Sequence, residues 1–104
     1  MRPRRPDHLK ELIKVDGFQV APAELEALLI EHPDIADAGV VGCPDERHGE
    51  VPVAFIVTAR RIDEAALAAW LAERVAPYKR PRRVVTVDRL PRTPAGKLLR
   101  RELR

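Results

Sequence analysis

Aromatic residues are scarce in this chain: Phe18, Phe55, Trp70 and Tyr78 make up 4 % of its 104 residues. They are dispersed, so no group of rings on one strand offers unpaired bases a stacking platform. Cysteine is scarcer still. Cys43 stands alone, which excludes an internal disulfide and fits a reducing cytoplasm. It ends an apolar run just before Pro44, with no cationic pattern around it to mark a nucleophile, and it reads as structural. No stretch approaches the ~20 apolar residues of a membrane span. The basic opening "MRPRRP" lacks the apolar run that follows in a secretory signal. His8, His32 and His48 lie far apart, outside any metal-ligand spacing, so no metal centre is read. Nucleophile-elbow and Walker-type patterns are absent from the sequence.

What is present is a chain 45 % hydrophobic and 34 % charged, the balance of one globular domain. Its length allows a real core but is small for a complete enzyme. The net charge is +3, with the positive excess at the two ends. Such a field favours a phosphate-bearing partner, whether nucleic acid or a nucleotide.

Residues 1–6 are too proline-rich for helix or central strand and read as a linker or an arbitrary start, with one domain over 7–104. In "LKELIKVDGFQVAP" two short apolar runs flank Asp16-Gly17, the signal of a tight hairpin. Pro22 suits a first helical position, and Leu25, Leu28 and Leu29 form an apolar stripe that His32-Pro33 ends. "DIADAGVVGCP" and "GEVPVAFIVTA" read as strands. Val51, Val53, Phe55 and Val57 share one face of the second, and Pro52 implies that its start is edge-like or bulged. A second helix is expected from Asp63, its N-cap, to about Ala76, with Leu67, Trp70, Leu71 and Val75 facing inward. "RRVVTVD" reads as a further strand, "LPRTPAG" as a stiff loop, and "KLLRREL" as a short terminal helix with Leu98, Leu99 and Leu103 on one side. The fold class is therefore α+β: a small, mainly antiparallel or mixed sheet, an N-terminal two-stranded hairpin, and three helices packed around it.

Lysine is the other scarcity. Against 15 Arg there are four Lys: Lys10, Lys14, Lys79 and Lys97. Where a compact, swinging point charge is needed, the planar fork of Arg is a poor substitute. Lys97 follows Gly96 at the expected start of the terminal helix, where backbone can approach an anion. A solvated surface charge remains the plain alternative.

The stretches "DHLKELIKVDGFQVAPAELEALLIEHPDIADAGVVGCPDERHGEVPVAFIV" and "ERVAPYKRPRRVVTVDRLPRTPAGKLLRRELR" resemble the carboxyl-terminal domain of the acyl-adenylate-forming enzymes. That superfamily includes acyl-CoA synthetases, 4-coumarate:CoA ligases and beetle luciferases, and "LKELIKVDGFQVAPAELE" looks most like the 4-coumarate and medium-chain fatty acyl ligases. The resemblance implies a lid-like domain of an acid:CoA ligase, with ATP and CoA as substrates. It implies that Lys97 contacts the carboxylate and the α-phosphate during adenylation. Lys10 falls on the hinge between large and small domains. Lys14 and Gln19 fall on hairpin residues that meet the adenylate during thioester formation, and Gly17 on the glycine beside the CoA pantetheine. His8 stands where the family usually has an Arg that touches the nucleotide, and Asp16 where it often has Lys.

The resemblance further implies a large amino-terminal adenylation domain as partner, carrying the phosphate loop, the acyl pocket and most contacts to Mg2+. Neither loop nor pocket has a counterpart in these 104 residues, so the chain alone is expected to be inactive. Two other readings stand beside this one: a basic nucleic-acid-binding module, which has no recognition-helix pattern to support it, and a docking domain that complements a separate adenylating subunit.

Overall fold

The computed structural model describes residues 12–103. Two-residue hairpin chemistry sets its first element. β1 (Ile13–Val15) and β2 (Phe18–Val20) pair antiparallel, with Asp16 at φ 53° and Gly17 at φ 87° between them. Positive φ at both turn residues is what the right-handed twist of a two-residue hairpin demands, and Asp-Gly is the pair that tolerates it. Helix α1 (Pro22–Ile30) follows, with Pro22 in its first turn as expected. Strands β3 (Ile35–Asp45) and β4 (Gly49–Thr58) form a long antiparallel pair. Helix α2 (Glu64–Ala72) then carries the chain back so that β5 (Arg83–Thr86) can pair parallel to β4, as a parallel neighbour requires. Among the described residues the sheet runs β2-β1-β4-β3, with β5 on the same side of β4 as β1, which makes it mixed.

Both helices cover one face. Leu25 and Leu29 of α1 and Leu67 and Leu71 of α2 join Ala38, Val40, Ala54 and Ile56 of the central strands in one buried cluster with Ile13, Val15 and Val20 of the hairpin. Full burial of side chains such as Leu25 and Leu29, each contributing about 1.5–3 kcal/mol, holds α1 in place. On the opposite face Val41 and Val53 are also buried, and Gly39 leaves a space into which Leu98 and Leu103 fit. The C-terminal segment thus covers the face that the helices leave open, and both faces of β4 are buried from Val51 to Ala54.

Three expectations need correction in detail. Two α-helices and two 3-10 turns, Pro77–Lys79 and Arg100–Leu103, stand among the described residues in place of three helices. The terminal "helix" begins only at Arg100, because residues 92–98 close on themselves as a loop, described below. Helix α2 stops at Ala72, before Val75, although Asp63 caps it as expected by accepting the Ala66 N–H at 3.3 Å. Pro52 lies in an inner strand, but at a point where that strand is edge-like on one side, as its proline implied. Its carbonyl accepts the Arg82 N–H, so its missing N–H points into the gap between the β1 pairing, which ends at Gly49, and the β5 pairing, which begins at Val53. No ladder bond is lost there, so a proline is tolerated.

Candidate functional site

The expected site residues fall into two groups on opposite edges of the sheet. The first is the hairpin. Ile13 and Val15 point into the core, so Lys14 stands on the outer face, directly across from exposed Gln19. Gly17 sits at the exposed turn, with no atom within 4 Å of where a Cβ would lie. The hairpin is a small two-stranded projection and would be marginal alone, but the β3–β4 turn braces it. The Lys14 N–H donates to Glu50 Oε1 at 2.9 Å, and the Asp16 N–H donates to the His48 carbonyl at 2.9 Å. The Asp16 carboxylate meets His48 Nδ1 at 2.8 and 3.0 Å. The exposed ring of Phe18 stacks on Tyr78, 4.3 Å between centroids. A groove of about 370 Å³ opens beside this tip against Asp16, His48, Tyr78, Arg80 and Arg82. A larger open concavity of about 840 Å³, lined by Thr58, Arg61, Asp63 and Thr86, holds none of the expected site residues.

The second group is the loop that carries Lys97, tied to the far edge of the sheet. Arg92 and Leu98 bridge antiparallel. The Thr93 N–H donates to the Lys97 carbonyl at 2.8 Å, the Gly96 N–H to the Thr93 carbonyl at 2.8 Å, and the Lys97 N–H to Thr93 Oγ1 at 3.0 Å. Gly96 has φ 95°. This is the pattern of a three-residue hairpin loop, Pro94-Ala95-Gly96, whose last residue takes the left-handed conformation that Gly allows. Lys97 is exposed at the closing position of that loop. The expectation that it opens a helix is corrected: a glycine with positive φ turns the chain into a strand-like return, and helical turns start three residues later.

Side chains that sequence spacing did not single out attach this loop to β3. The β3–β4 register shifts between Ile35 and Asp37, where two residues of β3 advance against one of β4; such an irregularity re-aims a side chain. Asp37 takes a two-pronged contact from Arg92, Nη2 to Oδ1 at 2.6 Å and Nε to Oδ2 at 3.1 Å. This bonding holds the Arg92 guanidinium above its ordinary pKa. Further along the same edge, Glu26 of α1 reaches over β3: its Oε2 accepts the Val40 N–H at 2.8 Å and its Oε1 accepts Arg100 Nη2 at 2.7 Å. Burial pushes the Glu26 carboxyl above its ordinary value, with the Val40 N–H and Arg100 pulling the other way. These partners are 55 and 74 residues apart, beyond any local pattern.

Lys79, the one lysine that the resemblance left without a role, pairs with Glu24 of α1 at 3.0 Å and fastens the 3-10 turn after α2. The expected hinge Lys10 and the nucleotide-facing His8 lie outside the described residues. Among the described residues, no three His, Cys, Asp or Glu side chains are grouped as a metal ion requires, so no step is assigned to Mg2+ through them. None of the described helices is long and apolar enough to cross a membrane.

Comparison with known proteins places this architecture. The AMP-binding enzyme C-terminal domain family matches residues 24–97, and the chain belongs to that family. Its curated relatives include 4-coumarate–CoA ligase 1 of Solanum tuberosum, 56 % identical over 100 residues, and the 4-coumarate–CoA ligase of Pinus taeda, 54 % identical over 98 residues. Each alignment covers 94 % of this chain but only 18 % of the relative. Among solved structures, the o-succinylbenzoate CoA synthetase of Bacillus subtilis in complex with its acyl-adenylate intermediate superposes with a TM-score of 0.89 at 40 % identity, over 91 % of this chain and 20 % of that one. The Mycobacterium tuberculosis fatty acyl CoA synthetase gives 0.85 at 36 %, over 92 % and 19 %.

Proposed function

We propose that this chain serves as the moving C-terminal domain of an acid:CoA ligase, which joins a carboxylic acid and ATP into an acyl-adenylate and pyrophosphate, then transfers the acyl group to CoA with release of AMP. The observation that carries this reading is the division of the site residues between two edges: Lys97 on a braced loop tied to β3, and Lys14, Gly17 and Gln19 on the hairpin beyond β1. A domain that presents one edge and then the other to the same cleft serves two half-reactions in turn, the work of hinge closure. Lys10 is the hinge on this reading.

In the first half-reaction the acid's carboxylate attacks the α-phosphate, and two anions must approach. A preorganised ammonium between them stabilises the charge that develops on the phosphoryl oxygens. Lys97, exposed on a stiff loop with a long reach, is suited to enter a cleft from outside. In the second half-reaction the hairpin replaces it, with Lys14 and Gln19 toward the adenylate and Gly17 leaving room for the thiol arm. ATP, CoA and an adenylation domain that holds Mg2+ and the acyl pocket are the implied partners. The relatives favour an aromatic or fatty acid as substrate.

The test is a graft. This chain replaces the equivalent domain of a 4-coumarate–CoA ligase, and acyl-CoA formation is compared with that of the bare large domain. Restored thioester synthesis supports the proposal. A folded graft that yields neither adenylate nor thioester overturns it.

A further inference from the structure

The adenylation role of Lys97 needs more than its ammonium; it needs a backbone that aims the side chain. The peptide unit between Gly96 and Lys97 is gripped at both poles. Its N–H donates to Thr93 Oγ1 at 3.0 Å, and its carbonyl, on Gly96, accepts Arg92 Nη1 at 2.8 Å. The same guanidinium uses its other two nitrogens on Asp37. Asp37 is fixed in turn, because its Oδ1 accepts the Ala38 N–H of β3 at 2.9 Å. A continuous line of bonds therefore runs from the β3 backbone through Asp37 and Arg92 to the peptide that carries Lys97.

We propose that Arg92 is a positioning residue for Lys97, holding the Gly96–Lys97 peptide at a fixed place relative to β3 through its three-nitrogen contact with Asp37 and the Gly96 carbonyl. This rests on the adenylation role assigned above to Lys97. Only a planar guanidinium fits the task. Its donors point in fixed directions and can serve a carboxylate and a carbonyl together, whereas an ammonium on a flexible stem holds one geometry less firmly. Thr93 binds Lys97 from within the loop, and Leu98 seats the loop's end on Gly39 of β3; without Arg92 the loop stays attached there, but the Gly96 carbonyl loses its tie to Asp37 and the Gly96–Lys97 peptide opens more often. Arg92 touches neither acid nor ATP in this account. Its effect reaches the chemistry through Lys97 alone.

The experiment compares Arg92→Lys, Arg92→Met and Lys97→Ala in the grafted ligase. Adenylate formation is followed by pyrophosphate release, and thioester formation separately from supplied acyl-adenylate. A displacement of about 1 Å in a reacting group can cost about 10²-fold. Both Arg92 variants are therefore expected to lower kcat for pyrophosphate release by roughly that factor. KM for ATP should change little, and thioester formation should stay within about threefold, small beside the loss expected from misplacement. In this chain by itself, amide exchange at Lys97 should speed up in Arg92→Lys while exchange in the core strands keeps its rate, the mark of local opening. If Lys97→Ala collapses adenylation and the Arg92 variants leave it intact, the positioning role is wrong. If the Arg92 variants depress both half-reactions together with core protection, Arg92 is a fold staple and the proposal also fails. If Lys97→Ala itself is silent, the failure lies in the adenylation role beneath it.

Discussion

Removing Glu26 probes the edge of the sheet most severely. Its carboxylate and the Arg100 guanidinium are 14 % and 10 % exposed, and Glu26 also accepts the N–H of fully buried Val40. Glu26→Ala leaves that N–H without its acceptor and takes from Arg100 a counter-charge 2.7 Å away. Breaking a buried pair from one side costs about 3–5 kcal/mol. Arg100 keeps the Val40 carbonyl at 3.2 Å, so the lower end applies, about 3 kcal/mol. In a domain of this size each kcal/mol moves Tm by roughly 4–8 °C, which predicts a fall of about 12–24 °C in thermal unfolding followed by circular dichroism. Glu26→Gln keeps the shape and an acceptor, and about 1–2 kcal/mol should be lost. The titration has its own sign. Burial raises the Glu26 carboxyl above its ordinary 4.5, so between that value and the folded one the native state binds more protons than the unfolded state. Stability contributed by this group is then present at low pH and falls as pH rises through the window. The advantage of the parent over Glu26→Gln should therefore shrink from pH 4.5 upward and then level off. A Tm loss below about 4 °C for Glu26→Ala, under 1 kcal/mol, or a parent advantage that grows with pH, would refute the reasoning.

Gly39→Val should cost about 1–3 kcal/mol by overpacking, because even a Cβ there would lie 3.0 Å from Leu98 and 3.2 Å from Leu103. Urea unfolding measures it, and an unchanged midpoint would mean that the C-terminal segment does not rest on this face. Gly17→Ala meets no neighbour but must hold φ near 87°, at about 1–2 kcal/mol. In the grafted ligase it should slow thioester formation and spare pyrophosphate release; the reverse order would remove the hairpin from the second half-reaction.

Much of this molecule was legible in its sequence because local chemistry decided it. Asp16-Gly17 could form little but a tight turn, Pro22 and Asp63 marked the starts of their helices, and the apolar runs either side of the 46–48 turn could be read as two strands, Ile35–Asp45 and Gly49–Thr58. Lys14 and Gln19 had to share a face once the hairpin register was set. What escaped was decided at a distance. "KLLRREL" has helical composition, yet the Gly96 turn and the seating of Leu98 and Leu103 on Gly39 draw it across the sheet. Pro52 marked an edge-like point, but not that β1 and β5 leave the gap beside it. Asp37–Arg92 and Glu26–Arg100 join charges from elements far apart in the chain, and no spacing rule finds such pairs. The candidate site residues were thus nameable from the sequence, while the charged pairs that tie the Lys97 loop and the segment after it to β3 and α1 appear only in three dimensions.

The central claim is that Lys97 acts in adenylation and the hairpin in thioester formation. In the grafted ligase, Lys97→Ala and Lys97→Arg should each lower pyrophosphate release by about 10²–10³, the loss typical of one preorganised electrostatic contact. Lys97→Arg fails because it keeps the charge without the compact ammonium. Transfer from supplied acyl-adenylate to CoA should persist in both. Pyrophosphate release by Lys97→Ala within about threefold of the parent, far short of that loss, would contradict the account.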